Sequence, residues 1–143
     1  MITGTFINLP VADLERSLRF FTETGCSLDN RYRDERGACV VLDDKVALMV
    51  LVEPFFQSFS KRDIVNTRES SEVIIALMLD SREAVDALAE KAIRAGARQP
   101  ETSLEGGFMY VRRFADPDGH LWELGHMDEA AAARAPATAG KKD

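Results

Sequence analysis

One pattern occurs twice along this chain, and no other feature constrains its fold as much. Phe6 to Val11 reads as a strand and leads to Asp13, an N-cap residue, after which Leu14, Leu18 and Phe21 recur at helical spacing until Gly25. Glu72 to Leu79 reads as a second strand, with Asp80 or Ser81 to cap a helix whose apolar stripe is Val85, Leu88, Ala92 and Ile93, ending near Gly96. Three strand-like runs follow each helix. In the first half they are Ser27 to Arg33, Ala38 to Leu42 and Val46 to Glu53; in the second, Arg98 to Ser103, Phe108 to Ala115 and Leu121 to Met127. The breakers agree with this division. Asp34-Glu35-Arg36-Gly37 and Asp43-Asp44 separate strands in the first half. In the second, Gly106-Gly107 and Asp116-Pro117-Asp118-Gly119 do so, with Pro117 at i+1 and Gly119 at i+3 of a type I turn. The expected fold is α+β: two tandem β-α-β-β-β modules.

With 143 residues the chain holds one ordinary domain. The expected organisation is a domain over residues 1–127, made of module one (3–53), a connecting segment (54–71) and module two (72–127), followed by a tail (128–143). The connecting segment carries Phe55, Phe56 and Phe59 and is expected to cover apolar surface, as a lid or a dimer contact. The tail is rich in Ala, with Pro136 and Gly140 as breakers and no apolar stripe, which predicts frayed helix or disorder.

A net charge of −6 repels phosphate backbones, so nucleic acid is not an expected partner. Cys26 and Cys39 are too few for a disulfide framework and lack metal-site spacing, which predicts two free thiols. The N-terminal residues meet Asp13 and Glu15 before any long apolar run, unlike a signal peptide or a spanning helix. A cytoplasmic protein with no membrane partner is the expectation. Dinucleotide, P-loop, nucleophile-elbow and zincin motifs are all missing from the sequence.

FINLPVADLERSLRFF near the start and FADPDGHLWEL near the end together resemble the vicinal oxygen chelate superfamily, which includes glyoxalase I, bleomycin-resistance proteins and extradiol dioxygenases. The resemblance spans about residues 3 to 127. It implies curved mixed sheets around a cleft, usually completed by dimerisation. In the enzymes it also implies a divalent metal held by His and Glu from the first and last strands of the modules. Transferred to this chain, those positions fall at Phe6, Ile74, Leu48 or Met49, and Glu123. Of these only Glu123 has a donor for a hard cation.

Strand alternation assigns faces independently of that resemblance. Ile7, Leu9 and Val11 are expected under the first helix, leaving Phe6, Asn8 and Pro10 open; Ile75, Leu77 and Leu79 are expected under the second, leaving Ile74, Ala76 and Met78 open. His120 and His126 share the parity opposite to Glu123 and are expected to point away from it. Glu123, the candidate catalytic residue, has two readings. It hydrogen-bonds to Asn8 or to an Arg of the neighbouring strand, or it acts as a general base with its pKa raised by an apolar wall. Tyr110 and Arg112 point one way and Arg113 the other, so one arginine is expected to reach the cleft and meet an anionic or carbonyl-bearing ligand. Cys39 has no neighbour in sequence that would activate it. The candidate ligand-binding residues are Phe6, Asn8, Ile74, Met49, Tyr110 and Arg112.

The expected function is small-molecule binding in an apolar cleft with an incomplete metal site, by a homodimer. No cofactor is expected. Two rivals stand beside it: a metal-dependent glyoxalase-type lyase or isomerase (or a dioxygenase-like enzyme), and an interaction protein that binds a partner through Phe55 to Phe59.

Overall fold

A computed structural model describes residues 1–99 and 104–134, the backbone alone for residues 104–106. The chain divides into two compact units, Met1–Ser70 and Ser71–Asp143. Each is a four-stranded mixed sheet with a helix on one face.

The first unit runs β1 (Thr5–Val11), α1 (Leu14–Glu23), β2 (Ser27–Asp34), β3 (Gly37–Asp43), β4 (Val46–Val52) and α2 (Glu53–Ser60). Its strand order is β1-β4-β3-β2, with β1 parallel to β4 and the other pairs antiparallel. The second runs β5 (Ile74–Met78), α3 (Arg82–Arg94), β6 (Leu104–Gly106), β7 (Met109–Ala115), β8 (Leu121–Met127) and α4 (Glu129–Ala132). Its order, β5-β8-β7-β6, repeats the first, including the parallel pairing of first and last strands.

The helix boundaries follow from the capping residues. Asp13 accepts the Arg16 backbone N–H at 3.1 Å, and Ser81 accepts that of Ala84 at 3.0 Å. Each helix is followed two residues on by a glycine at positive φ, Gly25 at 100° and Gly96 at 115°, a conformation that costs a Cβ-bearing residue more.

In the first unit Leu9, Val11, Leu48, Val50, Ala38 and Val40 are buried on the helix side of the sheet, with Leu14, Leu18, Phe20 and Phe21 from α1. In the second, Ile75, Trp122, Leu124 and Phe114 are buried with Val85, Ala89 and Ala92 of α3. The rings of Phe114 and Trp122 stack with centroids 6.2 Å apart.

The connecting segment expected over 54–71 opens with a helix, Glu53–Ser60, with Pro54 in its first turn and Phe55 and Phe59, one turn apart, meeting edge to face at 4.9 Å. Of the strand expected over Arg98 to Ser103, Arg98 bridges to Ala115. Residues 100–103 lie outside the described residues, and the strand paired with β7 is Leu104–Gly106. In the tail, Asp128 caps a short helix by accepting the Ala131 N–H; residues 135–143 lie outside the described residues.

Candidate functional site

In each unit one face of the sheet packs on a helix and the other stays open, and the register identifies the side chains on the open face. In the first unit Phe6 pairs with Ala47 and Asn8 with Met49 across β1 and β4, while Cys39 pairs with Met49 across β3 and β4. Phe6, Asn8 and Met49 therefore share the open face, Phe6 61% exposed, and Leu48 is fully buried on the helix side. Of the alternatives Leu48 and Met49, the register selects Met49.

In the second unit Ile74, Ala76 and Met78 of β5 lie opposite Leu121, Glu123 and Gly125 of β8. Ile74 and Met78 are about half exposed, at 49% and 53%. Between them Glu123 is buried, at 9% exposure. Its Oε2 accepts a hydrogen bond from Nε of Arg113 at 2.9 Å, and the two residues are direct partners across β7 and β8. A carboxylate at that depth needs such a partner, because desolvation without one costs several kcal/mol.

The arginine on this face is Arg113. Tyr110 and Arg112 stand on the helix side of the sheet, which corrects their assignment to the open face. The Tyr110 hydroxyl donates to Asp86 at 2.6 Å, while Arg112 binds Asp86 at 3.2 Å, Glu90 at 3.1 Å and Gln99 at 2.6 Å. Two acidic residues one turn apart on α3 draw the guanidinium under the helix. Counting outward from the Asp116–Gly119 turn would have found the right arginine: Ala115 faces Leu121, so Arg113 faces Glu123.

His126 also lies on the side away from Glu123, its Nδ1 3.0 Å from the Leu79 carbonyl oxygen. His120 sits in the turn, where its backbone N–H donates to the Asp116 carboxylate at 3.0 Å. That carboxylate also accepts the Asp118 N–H at 3.0 Å and the Trp122 indole N–H at 3.1 Å. Burial raises the Asp116 pKa above the usual carboxylate value, opposed in part by the hydrogen bonds and by His120. This turn joins the two strands that carry Arg113 and Glu123, and so sets their register.

The residues at the superfamily's metal positions do not fit a metal. Phe6 and Ile74 have no donor atom, Met49 offers only a thioether, and Glu123 is already engaged by a cation. Among the described residues no three His, Cys, Asp or Glu side chains are grouped so as to hold an ion.

Comparison with known proteins gives a consistent picture. The sequence profile of the Glyoxalase/Bleomycin resistance protein/Dioxygenase superfamily matches residues 5–124. A hypothetical protein from S. aureus is 26% identical, with a TM-score of 0.77 over 88% of this chain and 95% of that one. A glyoxalase/bleomycin resistance protein/dioxygenase family enzyme from Burkholderia phytofirmans is 17% identical, with a TM-score of 0.73 over 86% of this chain and 97% of its own. A bleomycin resistance determinant encoded on the transposon Tn5 is 18% identical, with a TM-score of 0.58 over 86% and 96%. No curated protein matches the chain. Among the described residues no helix is long and apolar enough to cross a membrane.

Proposed function

The chain belongs to the Glyoxalase/Bleomycin resistance protein/Dioxygenase superfamily, and from that premise we propose that it binds a small organic molecule on its open sheet faces without a resident metal. The observation that carries this reading is the Glu123–Arg113 pair, a buried ion pair set among the exposed apolar side chains of Ile74 and Met78. An apolar surface with one fixed polar group is the usual composition of a small-molecule site: the apolar part supplies affinity and the polar group orientation. Because Oε2 of Glu123 accepts from Arg113, the carboxylate is held in one orientation in which Oε1 can accept a ligand N–H or O–H. Phe6 and Met49 give the first unit's open face an apolar surface too, with the Asn8 amide as its polar group.

The reading includes a cytoplasmic location and a homodimer, the latter because β1, β5 and β6 are edge strands and pairing between copies would cover such edges. Light scattering at micromolar concentration tests it; a monomer mass counts against the dimer.

The principal experiment is elemental analysis for Ni, Zn, Mn, Fe and Co on protein purified without chelators, followed by a thermal-shift screen of small organic molecules. Substoichiometric metal and hits weakened in Glu123→Gln are the expected result. One equivalent of metal that disappears in Glu123→Gln overturns the reading, as does metal-dependent turnover of a hemithioacetal.

A further inference from the structure

The open face of the first unit carries a groove of 330 Å³, whose lining includes Phe6, Arg31, Tyr32, Val41 and Ala47. Its floor is apolar. Phe6 pairs with Ala47, and Ala47 with Val41, so three apolar side chains stand in a row across β1, β4 and β3. Its wall comes from an irregularity in β2. The β2–β3 ladder reaches Asp29 opposite Cys39 and resumes at Arg33 opposite Ala38, so three residues of β2, Asn30 to Tyr32, have no counterpart on β3. An insertion of this kind bends a strand and re-aims its side chains, and here it delivers Arg31 and Tyr32 to the groove.

A bulge on an edge strand also discourages pairing with other chains, but that role does not require the chemistry collected here. Phe6 and Tyr32 are both more than half exposed, the latter at 52%. Arg31 is exposed and oriented by its neighbours: its Nε donates to Oδ1 of Asp29 at 3.0 Å, its Nη2 to Oδ2 at 2.8 Å, and its guanidinium carbon lies 5.4 Å from the centre of the Tyr32 ring. The guanidinium has five N–H groups, and this fork to Asp29 uses two. The charged side chains lining the groove are Asp29, Asp43 and Asp44 against Arg31 and Lys45, a net charge of minus one that disfavours phosphates and other multiply charged anions. The volume lies at the small end of the range for organic ligands.

We propose that this groove binds a planar aromatic molecule bearing a neutral acceptor oxygen, its ring against Phe6 and Tyr32 and its oxygen at the Arg31 N–H groups outside the Asp29 fork. The proposal rests on the reading above for the open face that carries Phe6 and deepens it by naming the ligand class, but it involves neither Glu123 nor the second unit.

The test is a titration of the full chain with 2-naphthamide, followed by the backbone amide signals in NMR, with 1-naphthyl phosphate and cyclohexanecarboxamide as comparators. Saturable shifts are expected around residues 6, 31, 32, 41 and 47, with a dissociation constant on the order of millimolar or tighter. Tyr32→Ala weakens binding roughly five- to tenfold through the lost ring contact. Arg31→Lys, which keeps the charge and loses the planar fork, also weakens it several-fold. The same spectra report whether each variant is folded. The proposal fails if no shift saturates, if neither variant changes the affinity, or if the phosphate or the saturated amide binds as tightly as naphthamide. Shifts centred on Ile74, Ala76 and Glu123 also overturn it, by locating the ligand in the second unit. Metal bound at Glu123 would remove the earlier reading and leave this one standing.

Discussion

The two units repeat one topology but are held together differently where helix meets sheet. In the first unit α1 packs through large apolar side chains, Leu14, Leu18, Phe20 and Phe21. In the second, α3 presents small residues, Val85, Ala89 and Ala92, and the space beside them is filled by Arg112, whose guanidinium is tied to Asp86, Glu90 and Gln99. Their open faces differ in the same sense. The first is largely apolar with an exposed Asp29–Arg31 fork at its edge; the second has a buried ion pair at its centre. Duplication has preserved the hydrogen-bonded framework, which any suitable strand sequence satisfies, while the side chains that fill each seam and face have diverged.

Substitutions ranked by their effect on stability sharpen this contrast. Phe20 is 1% exposed in a seam built mainly of large apolar side chains, so Phe20→Ala is expected to cost about 4 kcal/mol in denaturant unfolding. The next largest effect belongs to the open face of the second unit. Arg113→Met leaves the buried Glu123 carboxylate without its partner and costs about 3 kcal/mol at neutral pH. Arg113→Met combined with Glu123→Leu recovers most of the loss; an equally large loss in the double variant would show that the pair contributes through packing rather than charge.

Asp116→Ala is expected to cost about 2 kcal/mol, because it strands two backbone N–H groups and the Trp122 indole N–H in a buried turn. Since burial raises its pKa, Asp116 binds its proton more tightly in the folded state. Its contribution falls as pH rises from the ordinary carboxylate value toward the raised one, and Asp116→Asn should flatten that part of the stability–pH profile. The smallest effect, about 1 kcal/mol, belongs to Arg112→Met. Asp86 and Glu90 are about half exposed and recover hydration, and the substitution also removes a buried Arg112 Nε that has no partner among the described residues. A loss as large as that of Phe20→Ala would erase the distinction between the two seams.

Much of the framework was legible in the sequence where local chemistry alone decides it. Asp13 and Ser81 are caps, Gly25 and Gly96 are stops, and the alternation in β1 assigns Phe6 and Asn8 to one side and Leu9 and Val11 to the other. The faces of β4 and β7 were not legible. In β4 every residue is apolar, so no alternation distinguishes Leu48 from Met49; only pairing with β1 does. In β7 Val111 and Phe114 are buried on opposite faces, so the apolar pattern cannot say which of two adjacent arginines meets Glu123. The α2 helix was masked by its three phenylalanines, whose one-turn spacing was the available signal.

The sequence by itself determined the repeated order of strands and helix, the caps and breakers, and the lack of a hard-cation donor at Phe6, Ile74 and either of Leu48 and Met49, because each depends on residue identity and short-range geometry. Only the tertiary structure decided that Arg113 rather than Arg112 partners Glu123, that Arg112 belongs to α3, and that a bulge turns Arg31 and Tyr32 toward a groove. Those outcomes depend on the register of one strand against another, which is set by contacts between residues far apart in the chain.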